Sequence, residues 1–595
     1  MGFLSAALFA LCALPLLRAL DFDVLIYGAS SAGVAAAVTA SANGTRVALV
    51  EPLAWAGGML SAGGLGLQDQ LEERYTPFFV SGVAREWADR VRAAYNASED
   101  VLTPDAYIAQ AAVDAMLAAR PSITLLTGCA LVGVARRRAP RAAAAAGGGE
   151  GAASSPWLSS VSLDCRAAPL TAAVFIDASY AGDLLVLSGV SYASGREANA
   201  TYGESLAGAL GLGQGDGEGA FPWPVPASAP GGGALLPGVS PLPLPPPGAA
   251  DAGLMAYGHR ACVTTDAARQ PFPAPPGYNR SEHALLAGVA AAAAAAAGGR
   301  APPLSAFVSL APYSSAVARA GRHKLMLCCG GWPVNGDAVT LNAGYIGAAP
   351  AQRAALHAAH TRYLLGGLHF LATDASVPPG TRADAARYGL CADEWGGAQP
   401  PHWPPALYVR EGARLVNDAV LTQGTLVAPR AKSDAIAVGA WYYDKHVVTR
   451  VADARGNAAN EGHFRASTAL EGRGGWCRDR ADACKNASAE WYDVPLSALL
   501  PRRREAGNLV VPVALAASAV AFSSARIESM LMGTGAAAGV VARLAAAAAG
   551  ALAVQDVPVA AVQAELVGRV GAVIHGPPTL GGAQQHAGGG LRRDE

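Results

Sequence analysis

Two short apolar runs near the N-terminus are separated by a glycine turn and a segment of small residues. The runs cover residues 23–27 and 46–50, and both are rich in Val, Leu and Ile. Such continuous runs are typical of strands buried on both faces of a parallel sheet. Between them, Gly28 begins a turn and residues 31–43 predict a helix. The pattern therefore predicts a strand–helix–strand unit at the start of an α/β fold.

The turn carries most of the glycine pattern of a dinucleotide site. Gly28 and Gly33 occupy its first and last positions, while Ser30 stands at the middle one. The middle residue faces a pyrophosphate at the positive helix N-terminus, and the last allows close helix–strand packing. Glu51 follows the second strand, where a carboxylate accepts hydrogen bonds from a ribose. Since a serine is small enough for the middle position, we expect a dinucleotide site rather than a plain βαβ unit. The predicted contacts are Gly28, Ser30, Ser31, Ala32, Gly33 and Glu51.

The segment after Glu51 distinguishes between two dinucleotides. It reads AWAGGMLSAGGLGLQD, with glycine pairs at 57–58 and 63–64. A nicotinamide enzyme would continue here with another strand and helix. The loop instead resembles that of large flavoproteins of glutathione-reductase-like architecture, where it wraps the pyrophosphate and ribityl chain. We therefore expect FAD as the cofactor, in contact with Gly57, Gly58 and Met59.

Six stretches in fixed order carry a closer resemblance. They are YGASSAGVAAAV, GGMLSAGGLG, FIDASYAGDLL, SYASGREANATYGES, LYVREGARLVNDAVLTQ and NLVVPVALAASAVAFSSARIESMLMGTGAAAGVVA. From Val24 to about Gly550, the chain resembles a family of FAD-dependent oxidoreductases associated with xanthan lyases. The resemblance implies a Rossmann-like FAD-binding domain, with a discontinuous parallel sheet, and an inserted α+β substrate domain. It says much less about the substrate.

The resemblance places two middle stretches near the cofactor. A strand expected in SITLLTGCALVGVARR would bring Ala130 and Val132 close to the adenine. The strand in FIDASYAGDLL ends at Asp177 and Ala178, which would lie near the cofactor as well. For any single one of these residues, a simple strand-capping turn is the alternative.

A third stretch near the C-terminus is expected to contribute an apolar strand from Leu509 to Leu515, followed by a long helix. Gly533 and Gly535 would precede it, so that its N-terminus points at the flavin and favours the anionic reduced form. Arg543 in the middle of this helix argues against a membrane span. Glu528 and Ala536 complete the predicted cofactor contacts.

Two polar stretches hold the candidates for catalysis. In YVREGARLVND, helical spacing would put Arg410 and Arg414 on one face. In WYYDKHVVTR, a strand would put Asp444 and His446 on one face. Asp444 would then fix the tautomer of His446 acting as a general base, while Arg450 binds a negative group. Composition alone favours solvated charges, whereas the resembled family has a similar D-x-H-x-x-x-R arrangement.

One position departs from the family pattern. Where the chain has Ala519, the resemblance leads us to expect a histidine close to the flavin, while Arg526 and Glu528 match. Two classes of function therefore stay open. One is a secreted oxidoreductase acting on a polar, carbohydrate-like substrate. The other is a degenerate flavoprotein that serves as a binding module; a redox-neutral flavin lyase is a narrower third option.

Length and composition predict several domains and a small-molecule partner. A chain of 595 residues is too long for one ordinary core. Its 44 basic and 45 acidic side chains nearly cancel, which argues against nucleic acid or an anionic membrane as partner. We expect flexible low-complexity insertions at 139–156 and 211–250. The predicted divisions are the FAD-binding domain at 20–210 and 505–575, the substrate domain at 251–504, and a flexible tail at 576–595.

The N-terminus predicts a secretory route. An apolar run from Phe3 to Leu17 is followed by small Ala19 and polar Asp21, as in a cleaved signal peptide. The run is short for a membrane span. Residues 1–19 are therefore predicted to be a signal peptide, and the protein to be secreted or held in the secretory lumen. A retained anchor or a mis-assigned start stays open, because no Lys or Arg precedes the run.

The cysteines are compatible with that route. Loss of Cys12 with the signal leaves eight. Cys477 and Cys484 in WCRDRADAC are the preferred disulfide, with two free thiols as the alternative. Asn-x-Ser/Thr triplets permit glycosylation without establishing it. The cysteine and histidine spacing matches no zinc site, so no metal is predicted.

Overall fold

The computed structural model describes residues 20–67, 76–139, 156–212, 220–319, 323–328, 334–427, 431–466, 468, 491–548 and 552–576. Its strands are β1 Phe22–Tyr27, β2 Val47–Glu51, β3 Ile123–Thr127, β4 Leu131–Arg138, β5 Pro156–Leu163, β6 Leu170–Asp177, β7 Tyr192–Ala193, β8 Ala261–Thr264, β9 Gln270–Pro271, β10 Ser309–Pro312, β11 Lys324–Cys328, β12 Gly389–Leu390, β13 Arg414–Leu415, β14 Ala435–Gly439, β15 Tyr443–Lys445, β16 Thr449–Ala452, β17 Ala458–Glu461, β18 Phe464–Ala466, β19 Tyr492–Pro495 and β20 Leu509–Val510. Its α-helices are α1 Ser31–Ala40, α2 Thr76–Phe79, α3 Gly82–Ala94, α4 Ala106–Ala118, α5 Asp183–Leu187, α6 Asn199–Tyr202, α7 Ala284–Ala296, α8 Ser315–Arg319, α9 Pro350–Thr373, α10 Pro379–Ala385, α11 Gln423–Val427, α12 Ala519–Ser524, α13 Glu528–Ala547 and α14 Val559–Glu565.

The main sheet confirms the predicted fold class. Its strand order is β3-β2-β1-β6-β5-β4, and β20 pairs with β6. The pairs of β1 with β2 and β6, of β2 with β3, and of β20 with β6 are parallel. Only β4 and β5 run antiparallel to their neighbours in this sheet. Because β20 comes from the C-terminal part of the chain, the sheet is discontinuous in sequence, as expected.

Helix α13 packs against α1 at very close range. A Cβ on Gly535 would lie 2.2 Å from Ala32 O, so only a glycine permits this approach. The hydroxyl of Thr39 donates to Ala536 O at 2.8 Å across the same contact. Helix α13 is long and apolar enough to cross a membrane, but 78% of its apolar window is buried inside the molecule. It is a buried core helix that packs the C-terminal part of the described chain against α1.

A second, antiparallel sheet lies in the middle of the chain. Its order is β10-β11-β8-β12-β9, and its apolar core includes residues of α7 and α9. The expected flexible surface character of 211–250 is wrong for part of that segment. Val225 and Ala227 are 1% and 0% exposed and belong to the same core. The insertion expected at 139–156 lies almost wholly outside the described residues, as do 1–19 and the tail from 577.

Three predicted elements have different bounds in the structure. The strand expected from 122 to 137 is interrupted at Gly128, which has φ +66°, so that it forms β3 and β4. The apolar run 509–515 contributes only the two-residue strand β20. Helix α13 begins at Glu528, so Gly533 and Gly535 lie inside it rather than before it.

Two disulfides tie distant parts of the described chain together. Cys129 bonds to Cys165, 36 positions away, and Cys262 bonds to Cys391, 129 positions away. Neither pairing was predicted from the sequence, since cysteine spacing does not specify partners. The predicted pair Cys477 and Cys484 lies outside the described residues.

Candidate functional site

The serine at the middle of the glycine turn is a helix cap. The Ser30 hydroxyl accepts a hydrogen bond from Gly33 N at 3.2 Å and donates to Ala178 O at 2.6 Å. It therefore satisfies one of the free N–H groups at the start of α1 and joins the turn to the end of β6. With its proton donated to Ala178, Ser30 stabilises the turn instead of presenting its O–H to a phosphate.

The two flanking glycines have the roles that the pattern predicts. Gly28 has φ +93°, and a Cβ there would lie 2.6 Å from Ser179 N. A Cβ on Gly33 would lie 1.9 Å from Gly28 O. The turn is thus closed so tightly that no larger residue fits at either position.

Glu51 ends β2 beside this turn. Its two carboxylate oxygens accept hydrogen bonds from Ala29 N at 2.7 Å and from Leu53 N at 3.0 Å. Burial raises the pKa of Glu51 to about 7, although both backbone hydrogen bonds oppose the shift. Each oxygen keeps a second lone pair. Glu51 is thereby held in one orientation and can still accept hydrogen bonds from ribose hydroxyls.

A cavity of about 600 Å³ opens at this end of the parallel sheet. One wall is formed by the turn and the strand ends, including Gly28, Ser30, Glu51, Ala130 and Ala178. The opposite wall is one face of α9, with Arg353, His357 and Thr361. A site at the carboxyl ends of parallel strands is where open α/β sheets bind ligands.

Tyr180 is a cavity residue that the sequence analysis missed. Its hydroxyl accepts a hydrogen bond from Met59 N at 3.0 Å and donates to the Glu528 carboxylate at 3.0 Å. A Cβ on Gly58 would lie 2.6 Å from the same hydroxyl, so the glycine loop sits directly on the ring. Tyr180 follows the predicted strand end in FIDASYAGDLL, and its aromatic character within an otherwise small-residue turn was the available signal.

Other predicted cofactor contacts lie around the cavity rather than on its wall. Asp177 is fully buried and accepts hydrogen bonds from Ser179 and Leu185, so it holds the turn after β6. Burial, together with the charge of Asp183, raises the pKa of Asp177 to about 7. Val132 is 48% exposed on β4 and is absent from the described cavity lining.

The glycines of α13 lie where this helix packs closely against neighbouring elements. Gly535 faces α1, and a Cβ on Gly533 would lie 2.9 Å from that of Ala437. Ala536 is buried in the same core. Within the part of the chain that the structure describes, none of the three lines the 600 Å³ cavity. Gly57 has φ +103° and its N–H donates to Ala29 O at 2.6 Å, which fixes the start of the glycine loop.

The cavity residues fit a dinucleotide. The closed glycine turn presents the N-terminus of the ten-residue helix α1, and Glu51 stands at the neighbouring strand end. Two polar atoms of the opposite wall, Arg353 Nε and His357 Nε2, are buried without a hydrogen-bond partner among the described residues. A pyrophosphate flanked by a ribose would meet the helix N-terminus and Glu51, respectively.

A second polar cluster surrounds His446. Its Nδ1 lies 2.8 Å from Asp337 Oδ2, and its Nε2 lies 3.5 Å from Asp444 Oδ2. The predicted neighbourhood of Asp444 and His446 is therefore present. Asp337, which makes the shorter contact, was missed because it lies 109 positions earlier in the chain.

The charges around His446 decide its protonation. Burial and the nearby Arg410 favour the neutral ring, but Asp337 and Asp444 prevail and raise the pKa of His446 to about 9. Despite burial, Arg410 and His446 hold the pKa of Asp337 well below its usual range. At neutral pH the ring is thus an imidazolium between two carboxylates, and it becomes a free base only at higher pH.

The predicted arginines divide between two places. Arg410 binds Asp337 at 3.0 Å and so belongs to the His446 cluster. The helix expected around it is wrong, because Arg414 lies in β13 and residues 409–413 before it form no helix. Arg450 donates to Asn460 at 2.8 Å, and its guanidinium lies over the ring of Phe221. These two contacts of Arg450 involve neither Asp444 nor His446.

Residues 407–409 lie between the His446 cluster and the cavity. Leu407 and Val409 line the cavity, while Tyr408 between them packs against Met59. Three guanidinium groups lie 4.7 to 5.9 Å from the Tyr408 ring centre, those of Arg260, Arg410 and Arg526. Arg526 also binds Asp444 at 2.9 Å. The cluster therefore lies behind the glycine loop that carries Met59.

The position that departs from the family pattern is buried. Ala519 is the first residue of α12 and is 3% exposed. Its N–H donates to the Glu197 carboxylate at 2.9 Å. Glu197 in turn binds Arg414 at 2.6 Å. A methyl group thus occupies the place where the resemblance leads us to expect an imidazole.

The chain is similar to several solved structures over part of its length. Three similar solved structures are Thermovibrio ammonificans THI4 (16% identity, 30% of this chain and 66% of that one, TM-score 0.21), L-proline dehydrogenase from P. horikoshii (16%, 30% and 24%, TM-score 0.15) and T. acidophilum thioredoxin reductase (18%, 26% and 34%, TM-score 0.15). The chain thus aligns with two thirds or less of each. No curated protein matches it. A family model described as FAD dependent oxidoreductase matches residues 23–566. Because this match spans most of the chain, the protein belongs to the FAD-dependent oxidoreductase family, and FAD is its cofactor.

Proposed function

We propose that the protein is a secreted enzyme that takes a hydride from a polar, carbohydrate-type substrate and passes it to FAD. The observation that carries this proposal is the cavity between the closed glycine turn and the inserted domain. When bound there, FAD supplies the hydride-accepting ring. The apolar N-terminal run and the two disulfides support secretion, since disulfides persist in oxidising compartments.

His446 is the residue that we assign to the substrate hydroxyl proton. Asp337 binds Nδ1 at 2.8 Å and thereby fixes the ring, so Nε2, which lies 3.5 Å from Asp444 Oδ2, is the nitrogen that would exchange a proton with a substrate approaching beside Asp444. Arg410 and Arg526 keep the two carboxylates in place. Since the pKa of His446 is raised to about 9, the base form increases as the pH rises toward that value. We expect substrate oxidation to accelerate over the same range.

An absorbance spectrum of the purified protein tests the proposal. Flavin absorbance that bleaches on anaerobic addition of one sugar from a panel is the expected result. The matched control is the same protein without sugar, reduced chemically with dithionite to show that the flavin can be bleached. Protein that folds but carries no flavin, even after incubation with FAD, would contradict the cofactor assignment.

Ala519 favours a second candidate, a binding module that holds FAD without redox turnover. The buried methyl group offers no proton-transfer group at a position where the resemblance leads us to expect one. In that case the flavin would be bleached by dithionite but by no sugar. Sugars would instead raise the melting temperature of the protein, because a ligand that binds only the folded state stabilises it.

A further inference from the structure

The cavity lining has more acidic than basic side chains, which does not favour an anionic ligand. Among the described lining residues, three carry carboxyl groups, Glu51, Asp164 and Asp183, and one carries a guanidinium, Arg353. Burial raises the pKa of Glu51 to about 7, so this carboxyl group is only partly ionised at neutral pH. Burial lowers the pKa of His357, which leaves that ring neutral at pH 7. The pyrophosphate of FAD is itself anionic. Beyond the N–H groups at the start of α1, Arg353 is therefore the one fixed positive charge available to it on the described wall.

Arg353 is held across the cavity from the glycine turn. Its Nη1 binds Asp183 Oδ2 at 2.6 Å, and its Nη2 donates to Tyr345 O at 2.9 Å. The guanidinium also lies over the ring of Tyr345, 4.5 Å from its centre. These contacts use two of its three nitrogens. Nε has no hydrogen-bond partner among the described residues, although it is buried.

The inserted domain supplies this residue. Arg353 lies in the first turn of α9, which begins at Pro350, and α9 packs on the antiparallel sheet through Leu364 and Leu368. The parallel sheet by itself contributes the turn and Glu51 but no cation to the described cavity wall. The inserted domain therefore supplies the guanidinium that the described cavity wall has.

We propose that Arg353 is a binding residue for the FAD pyrophosphate, and that the inserted domain thereby takes part in cofactor retention. Guanidinium groups form strong, charge-assisted hydrogen bonds with phosphate oxygens. The inference rests on the FAD site described above and adds to it a residue from the opposite wall. Arg353 would bind the phosphate oxygens of the cofactor rather than the flavin ring.

The test compares the apoprotein with its Arg353→Gln variant in binding to FAD, ADP and adenosine. Arg353→Gln is expected to weaken the binding of FAD and of ADP about ten- to hundredfold, which is the usual contribution of a hydrogen bond to a charged group. Adenosine, which lacks phosphate, should bind equally well to both proteins. Arg362→Gln, on the same helix but outside the described cavity lining, is the matched control and should match the original protein. Flavin fluorescence quenching gives the FAD affinity, and competition gives the others.

A double variant separates this role from a structural one. If Arg353 only neutralises Asp183, then adding Asp183→Asn to Arg353→Gln restores FAD affinity, and the proposal is overturned. If Arg353 binds the phosphate, the FAD affinity of the double variant stays as low as that of Arg353→Gln. Unchanged FAD affinity in folded Arg353→Gln would likewise overturn it. Failure of the unsubstituted protein to bind FAD would be a different result, because it would refute the cofactor assignment itself.

Discussion

His446 shows how neighbouring charges determine what one side chain can do. A histidine near its ordinary pKa is a ready base at neutral pH. Between Asp337 and Asp444 the same ring keeps its proton, and it forms part of a buried network with Arg410 and Arg526. Breaking a buried charge network by removing one member is costly. His446 therefore has a structural share in the site as well as its proposed chemical one.

Replacing His446 should flatten the pH dependence of stability between pH 6.5 and 9. The pKa of His446 is raised from 6.5 to about 9 in the folded protein. Its stabilising contribution is therefore complete below pH 6.5 and is lost as the pH rises through 9. His446→Gln should be less stable than the original protein by roughly 1–3 kcal/mol at pH 6, with a smaller difference at pH 9.5. Urea unfolding at both pH values measures this, with His369→Gln as the control. A difference that is constant with pH would refute the charge network.

The sequence predicted part of this cluster, and the reason for the remainder is physical. The predicted alternation places Asp444 near His446, and the two side chains do lie 3.5 Å apart, although β15 ends at Lys445. Asp337 comes from a distant segment, and only tertiary packing brings it to Nδ1. Arg450 satisfies the same alternation but binds Asn460. Local spacing thus identifies candidates for a polar cluster, while the fold selects among them.

At the scale of elements, the contact between α1 and α13 brings together two parts of the chain that are 497 residues apart, as in the hydrogen bond from Thr39 to Ala536. The glycine pattern was interpreted as a cofactor feature at both helices, and at the turn before α1 Gly28 and Gly33 close the backbone tightly beside the cavity. In α13 the same residue type serves the helix contact instead, because Gly535 and Gly539 admit the backbone of α1. Sequence alone does not distinguish these uses, since both require the absence of a side chain.

Gly535→Ala should therefore destabilise the protein, against the intrinsic preference of a helix. In an isolated helix the change from glycine to alanine stabilises by about 1 kcal/mol. Here the added Cβ would lie 2.2 Å from Ala32 O, and such overpacking costs about 1–3 kcal/mol. A lower melting temperature is expected, measured by thermal unfolding of the apoprotein. Gly568→Ala, where no atom lies within 4 Å of the added Cβ, is the control. A rise in melting temperature for Gly535→Ala would show that the contact is looser than described.

At the scale of the whole molecule, the chain leaves the parallel sheet and returns to it. Strand β20 pairs with β6, and α13 follows β20 in the C-terminal part of the sequence. This discontinuity was predictable, because apolar strand and helix patterns recur near the C-terminus. The packing of residues 220–250 was not predictable from the sequence, because a proline-rich composition indicates extended backbone but says nothing about burial. Val225 and Ala227 are in the core because β-type bridges such as Pro226 with Asn457 hold that backbone in place.

The proposed secretory route leads to a prediction about the whole molecule. Expressed in a secretory host, the mature chain should begin near Leu20 and carry the links Cys129–Cys165 and Cys262–Cys391. Each link closes a long loop, so each should contribute about 2–5 kcal/mol to stability. Non-reducing peptide mapping identifies the links, also tests Cys477 with Cys484, and N-terminal sequencing locates the cleavage. Protein made in a reducing cytosol provides the control and should unfold at a lower temperature. An intact Met1 on membrane-bound protein would support an anchor instead, and equal stability of the two preparations would contradict a structural role for the disulfides.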